Sequence, residues 1–194
     1  MKRESSRDRI FHAARDLFDQ EGEAGISMRR IASAVGVTPM AIYKHYADKD
    51  ALLNALMLDS FAGWETRVAH ISEDDPVAWL RQLGESFLDF ALNEPRRYEA
   101  AFLLKASHAR QYPNDFAEGK SPAARLAQER IERVLPHGEG AASATDVILA
   151  LGALCQGLVS IYRAGRFTSE ADFRTAYRRA VDHCIASYTS ESPR

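Results

Sequence analysis

Apolar residues recur at helical spacing along the whole chain, and strand-type alternation bounded by turns is absent. That pattern restricts the fold to the all-α class, and stripes and punctuation together mark about nine helices. The first, SSRDRIFHAARDLFDQEG, sets Ile10, Ala13, Ala14, Leu17 and Phe18 on one stripe, with Ser5 or Ser6 as its cap and Gly22 as its stop. The second, SMRRIASAVG, is short. Ser27 is its natural N-cap, Met28, Ile31, Ala32 and Val35 form its stripe, and Gly36 follows its end. The third, TPMAIYKHY, has Thr38 as N-cap and Pro39 at the first helical position, where a missing N–H costs nothing. Asp48 caps a long fourth helix with the stripe Leu52, Leu53, Leu56, Met57, Phe61, Trp64 and Val68. Pro76 opens a fifth after the linker EDDP, and Glu94-Pro95 ends it and starts a sixth. Residues 107–121 read as a loop, and Ser121-Pro122 opens the next helix. HGEGAAS (137–143) reads as another loop, Ser143 or Thr145 starts the eighth helix, and Ser169 the last.

Composition narrows the class. The chain has 194 residues, 46% of them hydrophobic and 27% charged, which is the balance of an ordinary folded domain. No stretch approaches 18 uncharged apolar residues, so no membrane span is expected. MKRESSRDR is not followed by an apolar segment of the signal type, so a cytoplasmic location is expected. Cys155 and Cys184 lie far apart in apolar helical contexts and read as buried, reduced thiols. The motifs GxSxG, HExxH, GxGxxG and the P-loop are missing, and the six histidines are scattered. We therefore expect no enzyme, no cofactor and no metal.

The net charge of −2 excludes a globally basic nucleic-acid coat. Residues 24–49 differ from the whole, with Arg29, Arg30, Lys44 and Lys49 against Asp48 alone. In this stretch a short helix, the turn Gly36-Val37 and a second short helix have the spacing of a helix-turn-helix. Ile31, Ala32, Val35, Val37 and Ile42 hold the pair together, and Gly36 frees the turn from a Cβ. Thr38, Pro39, Met40, Tyr43 and Lys44 lie off the Ile42 face and point outward. Hydroxyl and ammonium donors there suit phosphates, and the apolar atoms suit thymine methyls. Lys49 sits in the first turn of its helix, against the helix dipole, and a phosphate partner accounts for it better than helix stability does. Ser27, Thr38 and Asp48 are N-caps whatever else they do. His45 either faces outward or packs under Tyr46, and Arg30 reads as a solvated charge.

Residues 10–57, and most specifically IASAVGV, IYKHY and the following K…LL, resemble the DNA-binding domain of the tetracycline-repressor (TetR) family. Tyr46 stands where that family usually has Phe. The resemblance implies a DNA-binding domain over 1–48, a connecting helix over 49–72, and a ligand-binding and dimerisation domain over 73–194. It implies that Ser27 contacts a phosphate and that Arg29 lies at the groove edge. Thr38, Pro39, Met40 and Tyr43 would form the recognition surface, while Lys44, His45, Tyr46 and Lys49 would hold the DNA backbone. Arg7 and Arg9 would reach a flanking phosphate. The implied partners are double-stranded DNA with a palindromic operator, a second copy of the chain and a small-molecule effector. The implied action is repression released by that effector; a regulator without a small-molecule ligand, or an activator, is the alternative.

The later helices are read from pattern. VILALGALCQGLVSIY is apolar nearly all round, so a partner must cover one of its faces. The last helix also has a wide stripe. Together they point to a two-fold dimer through a four-helix bundle, with Gly152, Cys155, Gly157, Ile161, Tyr177, Val181 and Cys184 at the interface. Trp79, Phe87, Phe90, Tyr98, Phe102, His108 and Tyr112 are either ordinary core or the wall of a pocket for an apolar, partly polar molecule. In the pocket reading, Tyr98, His108, Tyr112 and Gln156 are its polar handles.

Overall fold

The computed structural model describes residues 4–112, 114–136 and 142–189, and the expected loop at 137–143 lies largely outside them. Among the described residues there are ten α-helices and no strand. The chain forms two compact units: residues up to Trp64 with Asn93–Ala109, and Glu65–Leu92 with the residues from Arg110 onward.

In the first unit, α1 (Ser6–Glu21) starts at a capping box in which Asp8 N–H donates to Ser5 Oγ and Ser5 N–H donates to the Asp8 carboxylate. Gly22, at φ 68°, ends it and begins a 3-10 turn, Gly22–Gly25. Helix α2 (Met28–Val35) closes on Gly36, whose φ of 71° is the left-handed conformation that a glycine takes without strain. Helix α3 (Pro39–Tyr43) is shorter than the sequence pattern, which reads as helical through Tyr46. Helix α4 (Lys49–Ala69) is capped by Asp48, which accepts from Ala51 N–H at 2.7 Å. Ile10, Ala14 and Phe18 of α1 share one core with Ile31, Ala32, Ile42, Leu52, Leu53, Leu56 and Met57. This core fixes α3 through Ile42, which is fully buried. Helix α6 (Pro95–Phe102) and the residues after it return to the same unit, where Ala100 and Leu104 join that core.

In the second unit, α5 (Pro76–Asn93) is capped by Asp75, which accepts from Ala78 N–H at 2.7 Å. Four residues of the expected loop form a single turn, α7 (Asn114–Ala117). Helix α8 (Pro122–Ile131) follows, capped by Ser121. Helices α9 (Ala144–Arg163) and α10 (Glu170–Thr189) have 20 residues each and pack against one another. The buried side of α9 is Val147, Leu151, Cys155 and Val159, and that of α10 is Phe173, Tyr177, Val181 and Ile185. Three ion pairs tie α5 to α10: Arg81–Asp182 at 2.8 Å, Glu85–Arg178 at 2.8 Å and Asp89–Arg174 at 3.3 Å. Beneath them Gly84 lies so close to α10 that a Cβ on it would stand 3.1 Å from Val181 Cγ1.

Tyr177 is fully buried and its hydroxyl donates to Gly84 O at 2.9 Å. Tyr177→Phe removes that bond and leaves the shape intact, so it should lower unfolding free energy by about 1–2 kcal/mol. Urea denaturation checks this; an unchanged midpoint would show that the bond contributes nothing.

Helix α9 is long and apolar enough, by length and composition alone, to cross a membrane, a test that the core helix of a soluble protein also passes. One expectation changes here. Of the two cysteines only Cys155 is fully buried; burial pushes its thiol up to about 11, while Cys184 is partly exposed.

Candidate nucleic-acid interface

Helix α3 is anchored from below and open above. Ile42 is inaccessible, whereas Met40 is 70% and Tyr43 46% exposed. Large side chains this open, on a helix this well anchored, offer a contact surface. Thr38, Pro39, Lys44 and His45 are exposed around them. After Tyr43 the chain tightens, and the N–H groups of His45 and Tyr46 both donate to Ile42 O, at 2.9 and 3.0 Å. This turn sends Tyr46 inward. Its ring is 5% exposed and belongs to the core, with the Arg7 guanidinium 5.5 Å from the ring centroid. Tyr46 is therefore a packing residue, where the resemblance implied a contact to the DNA backbone. His45 does not pack beneath it.

Ser27 and Thr38 occupy N-cap positions, but neither hydroxyl makes a capping hydrogen bond. Lys49 Nζ lies 3.4 Å from Glu23 O and 3.8 Å from the Glu23 carboxylate, which steadies the side chain beside the 3-10 turn. Arg29 is exposed. Arg30 is exposed and held by the Glu21 carboxylate at 2.6 Å. Arg9 reaches Ser6 Oγ at 3.4 Å.

The sequence reading missed Asn54. Its side chain is 4% exposed on α4 and hydrogen-bonded to residues more than 50 positions away. The signal was available: an amide stands among Leu52, Leu53, Leu56 and Met57, and a buried amide needs partners.

The residues expected to line a ligand pocket are divided between the two units. Phe102 packs on Tyr98, Phe61 and Trp64 in the first, with centroids 5.6, 5.3 and 5.9 Å away. His108, exposed in that unit, gives its backbone N–H to Asn54. Trp79, Phe87 and Phe90 are buried in the second. There Tyr112 is exposed, and Gln156 is partly exposed on α9. A surface depression of the second unit is lined by Thr66, Arg67, His70, Ile71, Gln82 and Ser86, none of which was expected to line a pocket. Three expected interface residues also turn inward: Cys155, Tyr177 and Val181 are buried within the protomer, Tyr177 and Val181 against Gly84 of α5. Gly152, Gly157, Ile161 and Cys184 remain partly or fully open. Among the described residues no group of His, Cys, Asp and Glu is arranged to hold a metal ion.

Known proteins give this arrangement a context. A model described as bacterial regulatory proteins of the tetR family matches residues 10–56, and one described as a tetracyclin repressor-like C-terminal domain matches residues 80–184. The HTH-type transcriptional regulator AcrR of Shigella flexneri is 29% identical over 147 residues, covering 69% of this chain and 64% of that protein. The class A tetracycline repressor protein of Escherichia coli is 24% identical over 156 residues, 80% of this chain and 66% of its own length. Other curated relatives are matched over as little as 27% of their length. Among solved structures, a Rhodococcus sp. RHA1 protein of unknown function superposes with a TM-score of 0.75 at 21% identity, covering 97% of this chain and 98% of that one. A TetR variant from Acinetobacter baumannii AYE, in complex with minocycline, gives 0.67 at 22% identity, covering 97% of this chain and all of that one. Both share the fold. With a match across more than half its length, the chain belongs to the TetR family of DNA-binding transcriptional regulators, not to a family of enzymes.

Proposed function

We propose that the protein is a repressor that binds a palindromic operator as a homodimer and is released by a small molecule held in its C-terminal unit. The observation that carries the reading is the open surface of α3, where Met40 and Tyr43 stand exposed over a buried Ile42 within a basic stretch. Thr38, Pro39, Met40 and Tyr43 face the major groove. Ser27, Lys44, His45 and Lys49 lie against phosphates, and Arg29 reaches the groove edge. A single α3 reads few bases; two related by a two-fold axis read a palindrome. The free hydroxyls of Ser27 and Thr38 support this, since capping does not use them.

The dimer reading is supported by α9. Leu149 and Ile161 are each 46% exposed, and Ala153 and Gly157 lie open on the same side. A Cβ built on Gly152 or Gly157 meets nothing within 4 Å. Glycine inside a helix costs about 1 kcal/mol relative to alanine. No contact within the chain requires that loss, whereas close approach of a second copy does. Gly152, Gly157, Ile161 and Cys184 thus remain in the interface.

The effector is an apolar, partly polar molecule. Its binding need shift the balance between two states by only about 1–3 kcal/mol per site. Helix α4 is a suitable carrier because it begins at Lys49 in one unit and ends at Ala69 in the other.

Selection from a random duplex library tests the operator reading. An enriched palindrome supports it, and a folded protein that enriches nothing sinks it. Affinity for the selected duplex should also fall linearly with salt on a log–log scale, with a slope of about −0.9 for each phosphate neutralised. A salt-independent affinity would remove the phosphate roles of Lys44 and Lys49.

A further inference from the structure

The buried amide of Asn54 is the centre of a network that joins the first turns of α4 to the chain beyond α6. Its Nδ2 lies 3.0 Å from Asp50 O, 3.0 Å from Asp50 Oδ2 and 2.9 Å from Ser107 Oγ, and its Oδ1 accepts from His108 N–H at 2.9 Å. Ser107 bonds Asp50 twice: its hydroxyl donates to Oδ2 and its N–H donates to Oδ1 at 3.3 Å. Alongside, Leu104 is buried in the core of the first unit and Ala106 packs against it. Segment 104–108 is therefore a strap laid across the start of α4 and held by side chains far away in sequence.

The first turn of α4 is also where Lys49 stands, between the Asp48 cap and Asp50. Helix ends fray, and a side chain on a frayed turn makes a poor contact with a fixed phosphate. The strap opposes fraying by tying Asp50 from two sides. It also changes what Asp50 presents. A carboxylate one residue from a phosphate-binding lysine repels the phosphate. Here the Ser107 hydroxyl, foremost, together with the Ser107 N–H and the Asn54 amide engages that carboxylate. Its charge is turned onto the strap.

We propose that segment 104–108 is a built-in positioning strap for the DNA-contacting start of α4, with Asn54 and Ser107 as positioning residues that act through Lys49. The proposal rests on the operator-binding reading above.

The experiment is a double-mutant cycle on the full chain, using fluorescence anisotropy with the selected operator. Ser107 is exposed, so Ser107→Ala leaves the fold intact by circular dichroism. Ser107→Ala should weaken binding about threefold to tenfold, and Lys49→Ala about tenfold. In the Lys49→Ala background, Ser107→Ala should cost less than about twofold, because the group it positions is gone. The salt slope of Ser107→Ala should shrink as that of Lys49→Ala does, by about one per protomer. Ser107→Thr, which keeps the hydroxyl, should bind like the unmodified protein. Additive effects in the cycle, with an unchanged salt slope, overturn the strap and leave the operator reading standing. A protein that binds no duplex at all overturns both.

Discussion

Gly157→Glu should yield a folded monomer that no longer holds a palindromic duplex. Position 157 lies in the middle of α9, its backbone is ordinary helix, and a Cβ there meets nothing within 4 Å. The new side chain therefore disturbs nothing in its own protomer. Glutamate is a better helix former than glycine by roughly 0.5–1 kcal/mol, so thermal stability of the isolated chain should hold or rise. Across a two-fold interface the same change buries two carboxylates among Leu149, Ala153 and Ile161 of both copies, and unpaired buried charges cost several kcal/mol each. Light scattering coupled to size exclusion reads the mass directly. Operator affinity should fall at least about a hundredfold, because two linked recognition helices bind far more tightly than one. A dimer of normal affinity would move the interface off α9.

Tyr43→Ala should weaken operator binding by about 1–3 kcal/mol, or about fivefold to more than a hundredfold, with little change in stability. The ring is nearly half exposed and the neighbouring Ile42 makes the core contact, so removing it opens no cavity. Ile42→Ala is the informative contrast. It should cost about 2–5 kcal/mol of stability and lose DNA binding through unfolding. Denaturation and anisotropy run on both variants separate a contact residue from a packing residue one position apart. Equal loss of stability in the two would mean that Tyr43 is part of the core.

The punctuation of the chain was legible because it is local chemistry. Ser5, Gly36, Pro39, Asp48, Ser121 and Ser143 each do at their helix end what their type and position suggest. The turn α7 was not legible. Asp115 holds it by accepting from Gln111 N–H and from Lys120, at 2.7 and 2.8 Å, and such bonds leave no periodic trace. Tyr46 was given a DNA-backbone role by resemblance alone, although it stands four residues after Ile42 and so on the same, buried face. Cys155, Tyr177 and Val181 were assigned to the interface because a wide stripe does not say which part of it meets the neighbouring helix and which meets a second copy. Of the residues expected to line a pocket, Tyr98, Phe102 and His108 belong to the first unit and Trp79, Phe87 and Phe90 to the second, a division that spacing within single helices does not carry. Asn54 and Ser107 were missed because their partnership spans 53 positions.

The three ion pairs between α5 and α10 carry one more consequence. As exposed pairs they add little to stability. Their order along the helices matters more. On α5 the charges run Arg81, Glu85, Asp89, and on α10 their partners run Asp182, Arg178, Arg174. A slip of one helical turn in one direction would set Glu85 against Asp182, and in the other would set Arg81 against Arg178. Either error replaces three attractions among these residues by one attraction and one repulsion while the chain is still choosing how its helices meet. The ladder thus serves as a proofreading device for the alignment of α5 on α10, rejecting the neighbouring registers that an apolar stripe alone would tolerate.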